Sequence, residues 1–182
     1  MNKFELRNEY KLIRNNIKDI VIKDNLIFNK LNKLNIFNKY NVVAIYLSFN
    51  NEVNTSKIIS SFLSNNKQVV IPKIKDDDLV FTYFNGENSN LVKNKYGIYE
   101  VKDKEEQIVD DNQIDLIIVP SICCNIFKYR IGYGKGYYDR YLKNKKMTKI
   151  SLCYDELISD IPFQDENDVK MNIIISDKRI ID

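Results

Sequence analysis

Short apolar runs recur along the chain with charged, helix-spaced segments between them: Val42-Val43-Ala44-Ile45-Tyr46-Leu47, then Val69-Val70-Ile71-Pro72, then residues 114–119. Runs this brief read as strands, and a strand that is apolar on both faces needs cover on both. Residues 3–37 behave differently. There Phe4, Leu6, Tyr10, Ile13, Ile17 and Ile20 return at helical steps, and no proline interrupts them. Residues 55–63 predict a second helix with Ile58, Ile59, Phe62 and Leu63 inward, capped by Asn54 or Thr55. The run at Val69 should stop at Pro72, residues 79–84 should form an edge or hairpin strand, and residues 86–94 a polar loop. A helix over about 137–145 and strands over 149–154 and 171–175 complete the pattern. Strand alternating with helix predicts an α/β fold: a three-layer sandwich with a mostly parallel central sheet and helices on both faces.

With 182 residues and 44% hydrophobic content, the chain suits one domain spanning 1–182. Its 28 basic and 25 acidic side chains leave a net charge of +3, too small an excess to indicate a bulk polyanion, so no nucleic-acid partner is expected. No later apolar run approaches the roughly 18 residues of a membrane span, which points to a soluble cytoplasmic protein with no membrane partner. Histidine is absent, and Cys123, Cys124 and Cys153 form no Cys-x-x-Cys pair. Zinc sites of the Cys/His kind and imidazole-assisted nucleophiles are thereby excluded, and any metal must be held by carboxylates.

The chemistry concentrates in Arg130-Ile131-Gly132-Tyr133-Gly134-Lys135-Gly136-Tyr137-Tyr138-Asp139-Arg140, which holds three of the chain's 5 glycines at alternate positions. Glycine tolerates positive φ and leaves no Cβ between backbone amides and a ligand, so such a loop can aim several N–H groups at one phosphate. A helix opening at Tyr137 would add its own free N–H groups. Arg130 and Lys135 supply positive charge, and Asp139 can meet a Mg²⁺ on phosphate oxygens. No Ser or Thr follows the lysine, and the glycine spacing is not that of a dinucleotide fold, so the segment is neither familiar phosphate motif. Two other readings stand beside this one. A plain glycine turn would need none of the flanking charges. A single-stranded RNA-binding module would use the interleaved Tyr129, Arg130, Tyr133, Tyr137, Tyr138, Arg140, Tyr141 and Lys143 for stacking and phosphate contact.

Asp115-Leu-Ile-Ile-Val-Pro120 followed by this glycine segment resembles the signature of the 5-formyltetrahydrofolate cyclo-ligases, also called methenyltetrahydrofolate synthetases. Lys3-Phe-Glu-Leu-Arg7 is similar to the family's amino-terminal Lys-x-x-Leu-Arg, Tyr46-Leu-Ser-Phe-Asn-Asn-Glu52 to its folate-binding strand end, and Tyr96-Gly-Ile-Tyr-Glu100 to its Gly-Ile-x-Glu-Pro turn. The chain departs from the pattern at Ser121, Cys124-Asn125, Lys128, Val101 and Asn172; the family has glycine near Lys128.

The resemblance implies ATP-dependent closure of the small molecule 5-formyltetrahydrofolate to the 5,10-methenyl form; a monomer is expected, although the sequence does not reveal the oligomeric state. It places ATP against Lys3, Arg7, Arg130, Ile131, Gly132, Tyr133, Gly134, Lys135, Gly136, Tyr137 and Tyr138. The folate falls to Leu47, Glu52 and Tyr96 together with Tyr133, Gly134, Lys135, Gly136 and Tyr137. Arg130 and Lys135 carry the catalytic charge, and Asp139 and Asp168 hold Mg²⁺. A kinase or nucleotidyl transferase with another acceptor would keep the ATP and change the substrate.

Overall fold

The computed structural model describes residues 2–86, 89–95, 97–102 and 107–182. The helical amino-terminal stretch is three helices: α1 (Lys3–Asn15), α2 (Ile20–Lys33) and α3 (Ile36–Lys39). Asn2 opens α1 with a capping box, its Oδ1 accepting from the N–H groups of Phe4 and Glu5 while Glu5 reaches back to the Asn2 N–H at 2.9 Å. The expected continuous run over 3–37 breaks because Asn15 and Asn16 are poor helix formers. Asn16 turns its amide onto the Leu12 carbonyl, and Asp19 adopts a left-handed φ of 57°.

Strand β1 (Val42–Ile45) is buried throughout and α4 (Ser56–Ser64) follows it. Asn54 accepts from the Ser56 N–H at 2.9 Å, whereas the Thr55 hydroxyl turns inward to the Tyr46 carbonyl. Burying Ile58, Ile59 and Phe62 of α4 contributes about 1.5–3 kcal/mol each. Strand β2 (Gln68–Lys75) does not stop at Pro72 as the sequence suggests; it continues as a hairpin with β3 (Asp78–Tyr83), with Pro72 opposite Phe81. Its last β1 partner is Val70, so Pro72 lies where that neighbour has ended and no ladder donor is missed. The tip residues Asp76 and Asp77 both have positive φ, as a tight hairpin turn requires. The expected loop over 86–94 likewise yields a strand at its end, β4 (Leu91–Lys93), paired antiparallel with β5 (Tyr99–Val101).

Strand β6 (Leu116–Val119) is followed by β7 (Cys123–Asn125), β8 (Arg130–Ile131), the short helix α5 (Tyr137–Leu142) and β9 (Thr148–Leu152). Then come β10 (Ile158–Ser159), β11 (Ile173–Ile175) and β12 (Ile180–Ile181). The main sheet has seven strands in the order β12-β11-β9-β6-β1-β2-β3. The inner five are parallel and each edge strand is antiparallel. The crossovers from β1 to β2 and from β6 to β9 run in opposite directions across the sheet, and the right-handed rule for parallel connections then puts α4 and α5 on opposite faces. Phe37 packs tilted against Phe28 and edge-on against Phe62 on the first face, and the Tyr141 ring of α5 meets the Phe81 ring at 5.0 Å between centroids on the second. The expected α/β architecture is thus present, around one continuous core in which Ile117, Ile118, Val43 and Ala44 are fully buried. Between β1 and β6 the strand order reverses, and open α/β sheets bind ligands at the carboxyl ends of such a pair.

Candidate active site

A cavity of about 450 Å³ opens at that point. Tyr46 and Leu47, just past β1, and Pro120, just past β6, are among its lining residues. Lys3 and Arg7 of α1 line one side, the Arg130–Asp139 segment another, and Ile74, Leu79 and Ile98 from the two hairpins an apolar third. Every site residue expected from the sequence lines this one cavity except Tyr96, which lies outside the described residues.

The glycine segment begins on a small sheet, β10-β7-β8, where Cys124 faces Arg130 and Cys123 faces Ile131. The turn before it is held by Asn125, whose Oδ1 accepts from the N–H groups of Phe127 (3.2 Å) and Tyr129 (2.9 Å). Lys128 in that turn has a φ of 71°, the conformation that suits the glycine of the family pattern. Arg7 Nε donates to the Gly132 carbonyl at 2.8 Å, and Gly134, at φ 99°, packs so that an added Cβ would sit 3.4 Å from that guanidinium. Arg140 ties the loop's far end, donating to the Lys135 carbonyl at 2.7 Å. Helix α5 is too short for much of a macrodipole, so the anion-attracting character of the loop rests on its cations.

Those cations are poised differently. The Arg130 side chain is 2% exposed, and neither its Nε nor its Nη1 has a hydrogen bond. Asp139 Oδ1 lies 3.2 Å from Nη1 as an ion pair and also accepts from the Val169 N–H. A buried guanidinium with idle donors is costly unless an acceptor arrives. Among the described residues no carboxylate pairs with Lys135. Lys3 bonds Asp168 and, at 2.6 Å, Asp165; burial pulls the ammonium's pKa down, but these bonds hold it above 10.5.

At the other end of the cavity Glu52 accepts from the Tyr133 hydroxyl at 2.6 Å and from the Phe49 N–H at 2.9 Å. Burial raises the Glu52 carboxyl above its ordinary 4.5, against the pull of those two hydrogen bonds and the charge of Arg14. The same burial beside Glu52 pushes the Tyr133 phenol up. Arg14 escaped the sequence reading. Standing seven residues after Arg7, on the same helix face, it was open to detection by that spacing. Ser121 and Asn172, where the chain departs from the family pattern, do framework work: Ser121 Oγ bonds the Leu152 carbonyl, and Asn172 accepts from the Lys149 N–H.

The tyrosines of residues 128–146 offer no row of stacking platforms, since Tyr137, Tyr138 and Tyr141 pack against the core and Tyr141 bonds Asp111. The three cysteines are buried and unpaired, so none is exposed as a nucleophile. A cation-lined backbone loop and an apolar wall sharing one cleft at a sheet's switch point are the arrangement in which open α/β enzymes hold a phosphate-bearing ligand. The comparison with known proteins makes the assignment specific: the profile of the 5-formyltetrahydrofolate cyclo-ligase family matches residues 1–177, and the chain belongs to that family. The 5-formyltetrahydrofolate cyclo-ligase of Mycoplasma pneumoniae is 31% identical over 140 residues, 75% of this chain and 73% of its own length. The NMR structure of Aquifex aeolicus 5,10-methenyltetrahydrofolate synthetase superposes with a TM-score of 0.85 at 26% identity, covering 99% of this chain and 92% of the other. The structure of the Mycoplasma pneumoniae synthetase gives 0.78 at 27% identity, covering 97% and 99%. No described helix is long and apolar enough to cross a membrane.

Proposed function

We propose that the protein converts 5-formyltetrahydrofolate and ATP to 5,10-methenyltetrahydrofolate, ADP and phosphate, working as a monomeric cytoplasmic unit over residues 1–182. The observation that carries the site assignment is Arg130, buried against the glycine loop beside the cavity, with its Nε unbonded and its Nη1 held only by the Asp139 ion pair. A formamide on the 5-nitrogen is a weak electrophile because its oxygen is a poor leaving group. The formyl oxygen therefore attacks the γ-phosphorus, ADP leaves, and the 10-nitrogen attacks the resulting imidate carbon. That nitrogen loses its proton, and the former formyl oxygen departs within inorganic phosphate.

Arg130 and Lys135 neutralise charge on the transferring phosphoryl group, as phosphoryl transfer demands. Lys3, Arg7 and the backbone of Ile131, Gly132, Gly134 and Gly136 hold the remaining phosphates, with Tyr137 and Tyr138 beside them. Leu47, Glu52, Tyr96 and Tyr133 take the folate. Asp139 and Asp168 would hold Mg²⁺: both are hard oxygen donors lining one cavity, Asp139 now paired with Arg130 and Asp168 with Lys3. When bound, Mg²⁺ would offset the charge of the phosphates. No histidine base is needed, and the chain has none.

The test is to follow methenyl absorbance with purified protein, 5-formyltetrahydrofolate, ATP and Mg²⁺. Product that requires ATP is expected. No product, with ATP consumed against another acceptor, would move the assignment to a kinase or transferase.

A further inference from the structure

We propose that Arg14 is a positioning residue for the folate end of the cavity, anchoring the Tyr133 hydroxyl and, through it, the Glu52 carboxylate in the orientation that meets the substrate. The inference rests on the folate reading given above. Arg14 is 5% exposed on the inner face of α1. Its Nη1 donates to the Ser121 carbonyl at 3.4 Å, its Nη2 to the Tyr133 hydroxyl at 3.3 Å, and its Nε to nothing.

Among the described residues no carboxylate forms an ion pair with it directly. As a stabilising device this is poor, since both bonds are long and a buried charge held by so little is costly. What a positive charge does here is electrostatic. Tyr133 has one hydroxyl proton, and at 2.6 Å it goes to Glu52 Oε1, so the oxygen's lone pair is left for Arg14. The guanidinium also lies 5.8 Å from the Tyr133 ring centroid. Helix α1 thus grips the glycine loop at two consecutive residues, Arg7 on the Gly132 carbonyl and Arg14 on the Tyr133 hydroxyl. The groups that face Glu52 are Tyr46 just past β1, Tyr138 from α5, Tyr133 from the loop and Arg14 from α1; Tyr154 bonds its carbonyl. Arg14 is the one cation among them.

Kinetics of Arg14→Met, Arg14→Lys and Tyr133→Phe, with the wild type as reference, separate the outcomes. Arg14→Met should raise KM for 5-formyltetrahydrofolate about tenfold, the loss of one hydrogen bond to a charged group, and leave KM for ATP unchanged. Without its cation Glu52 ionises less readily, so the acid limb of kcat/KM for folate should move to higher pH. Arg14→Lys should restore the limb and only part of the KM, since a point charge cannot reproduce the fork. Tyr133→Phe tests the same link should Arg14→Met fail to fold: it too should raise folate KM and move the limb, and Arg14→Met on that background should add less than the sum. Unchanged folate KM and limb in Tyr133→Phe, or equal losses toward ATP and folate in Arg14→Met, would overturn the proposal. A wild type without folate turnover would instead remove the folate reading on which it stands.

Discussion

Two charged clusters flank the same sheet, and they are finished to different degrees. Near β11, Lys23 bonds Glu156 (2.8 Å) and Asp177 (3.0 Å), Arg179 bonds Asp155 (2.8 Å), and Ser176 donates to Asp155 as well. Asp177 also accepts from the Asp155 N–H, and its carbonyl takes Lys30. At the cavity, Arg130 has an unbonded Nε and a single ion pair, to Asp139, that makes no hydrogen bond, and Lys135 lines the cleft with no carboxylate on it among the described residues. Satisfied charges hold the chain together; unsatisfied ones beside a cavity wait for a ligand. The contrast explains why charge by itself marked neither cluster in the sequence as functional.

Substitution should separate the two regions. Lys135→Ala removes the charge that the proposed reaction sets against the transferring phosphoryl group, so turnover should fall by about 10²–10³ with an unchanged melting temperature. Asp177→Ala should do the reverse: a loss of roughly 2–3 kcal/mol in urea unfolding, because the Asp155 N–H and Lys23 lose a buried acceptor, with kcat of the folded protein preserved. A variant of either kind that lost both properties together would break the comparison.

The pH dependence of stability should have opposite sign at the two places. Burial raises Glu52, so the folded state keeps a proton that the unfolded chain has released above its ordinary 4.5. Stability contributed by this group therefore falls as pH rises from 4.5 through the raised folded value, and Glu52→Gln should remove that slope. At Asp155 burial pushes upward, but hydrogen bonds from Arg179 and Ser176 outweigh it and hold the carboxyl below its ordinary 3.8. Its stabilisation is present above 3.8 and disappears as pH falls through the lower folded value, so Asp155→Asn should flatten the acid side instead. Urea midpoints across pH for the two variants measure both. Smallest of all, Lys128→Gly should stabilise by about 1 kcal/mol or less, as relief of the left-handed backbone is partly offset by greater freedom of the unfolded chain.

The parallel core was legible because Val42–Ile45 and Leu116–Val119 are apolar on both faces, a pattern with few other uses. Boundaries were less so. The break after Asn15 depends on an asparagine side chain turning back on its own helix, and the passage of β2 through Pro72 depends on which neighbour has already ended. Neither is local information. At the site, glycine spacing and the family resemblance brought Arg130 through Asp139 together with Lys3, Arg7, Leu47, Glu52 and Asp168. Arg14 was missed because a lone arginine on a charged helix looks like solvent-facing surface until tertiary packing buries it.

A crystal structure with Mg²⁺ and a non-hydrolysable ATP analogue tests the account at its centre. The account predicts β- and γ-phosphate oxygens within hydrogen-bond distance of Arg130 and the Gly132–Gly136 amides, with Lys135 on the γ-phosphate. Nucleotide bound elsewhere, with the donors of Arg130 still idle, would contradict it.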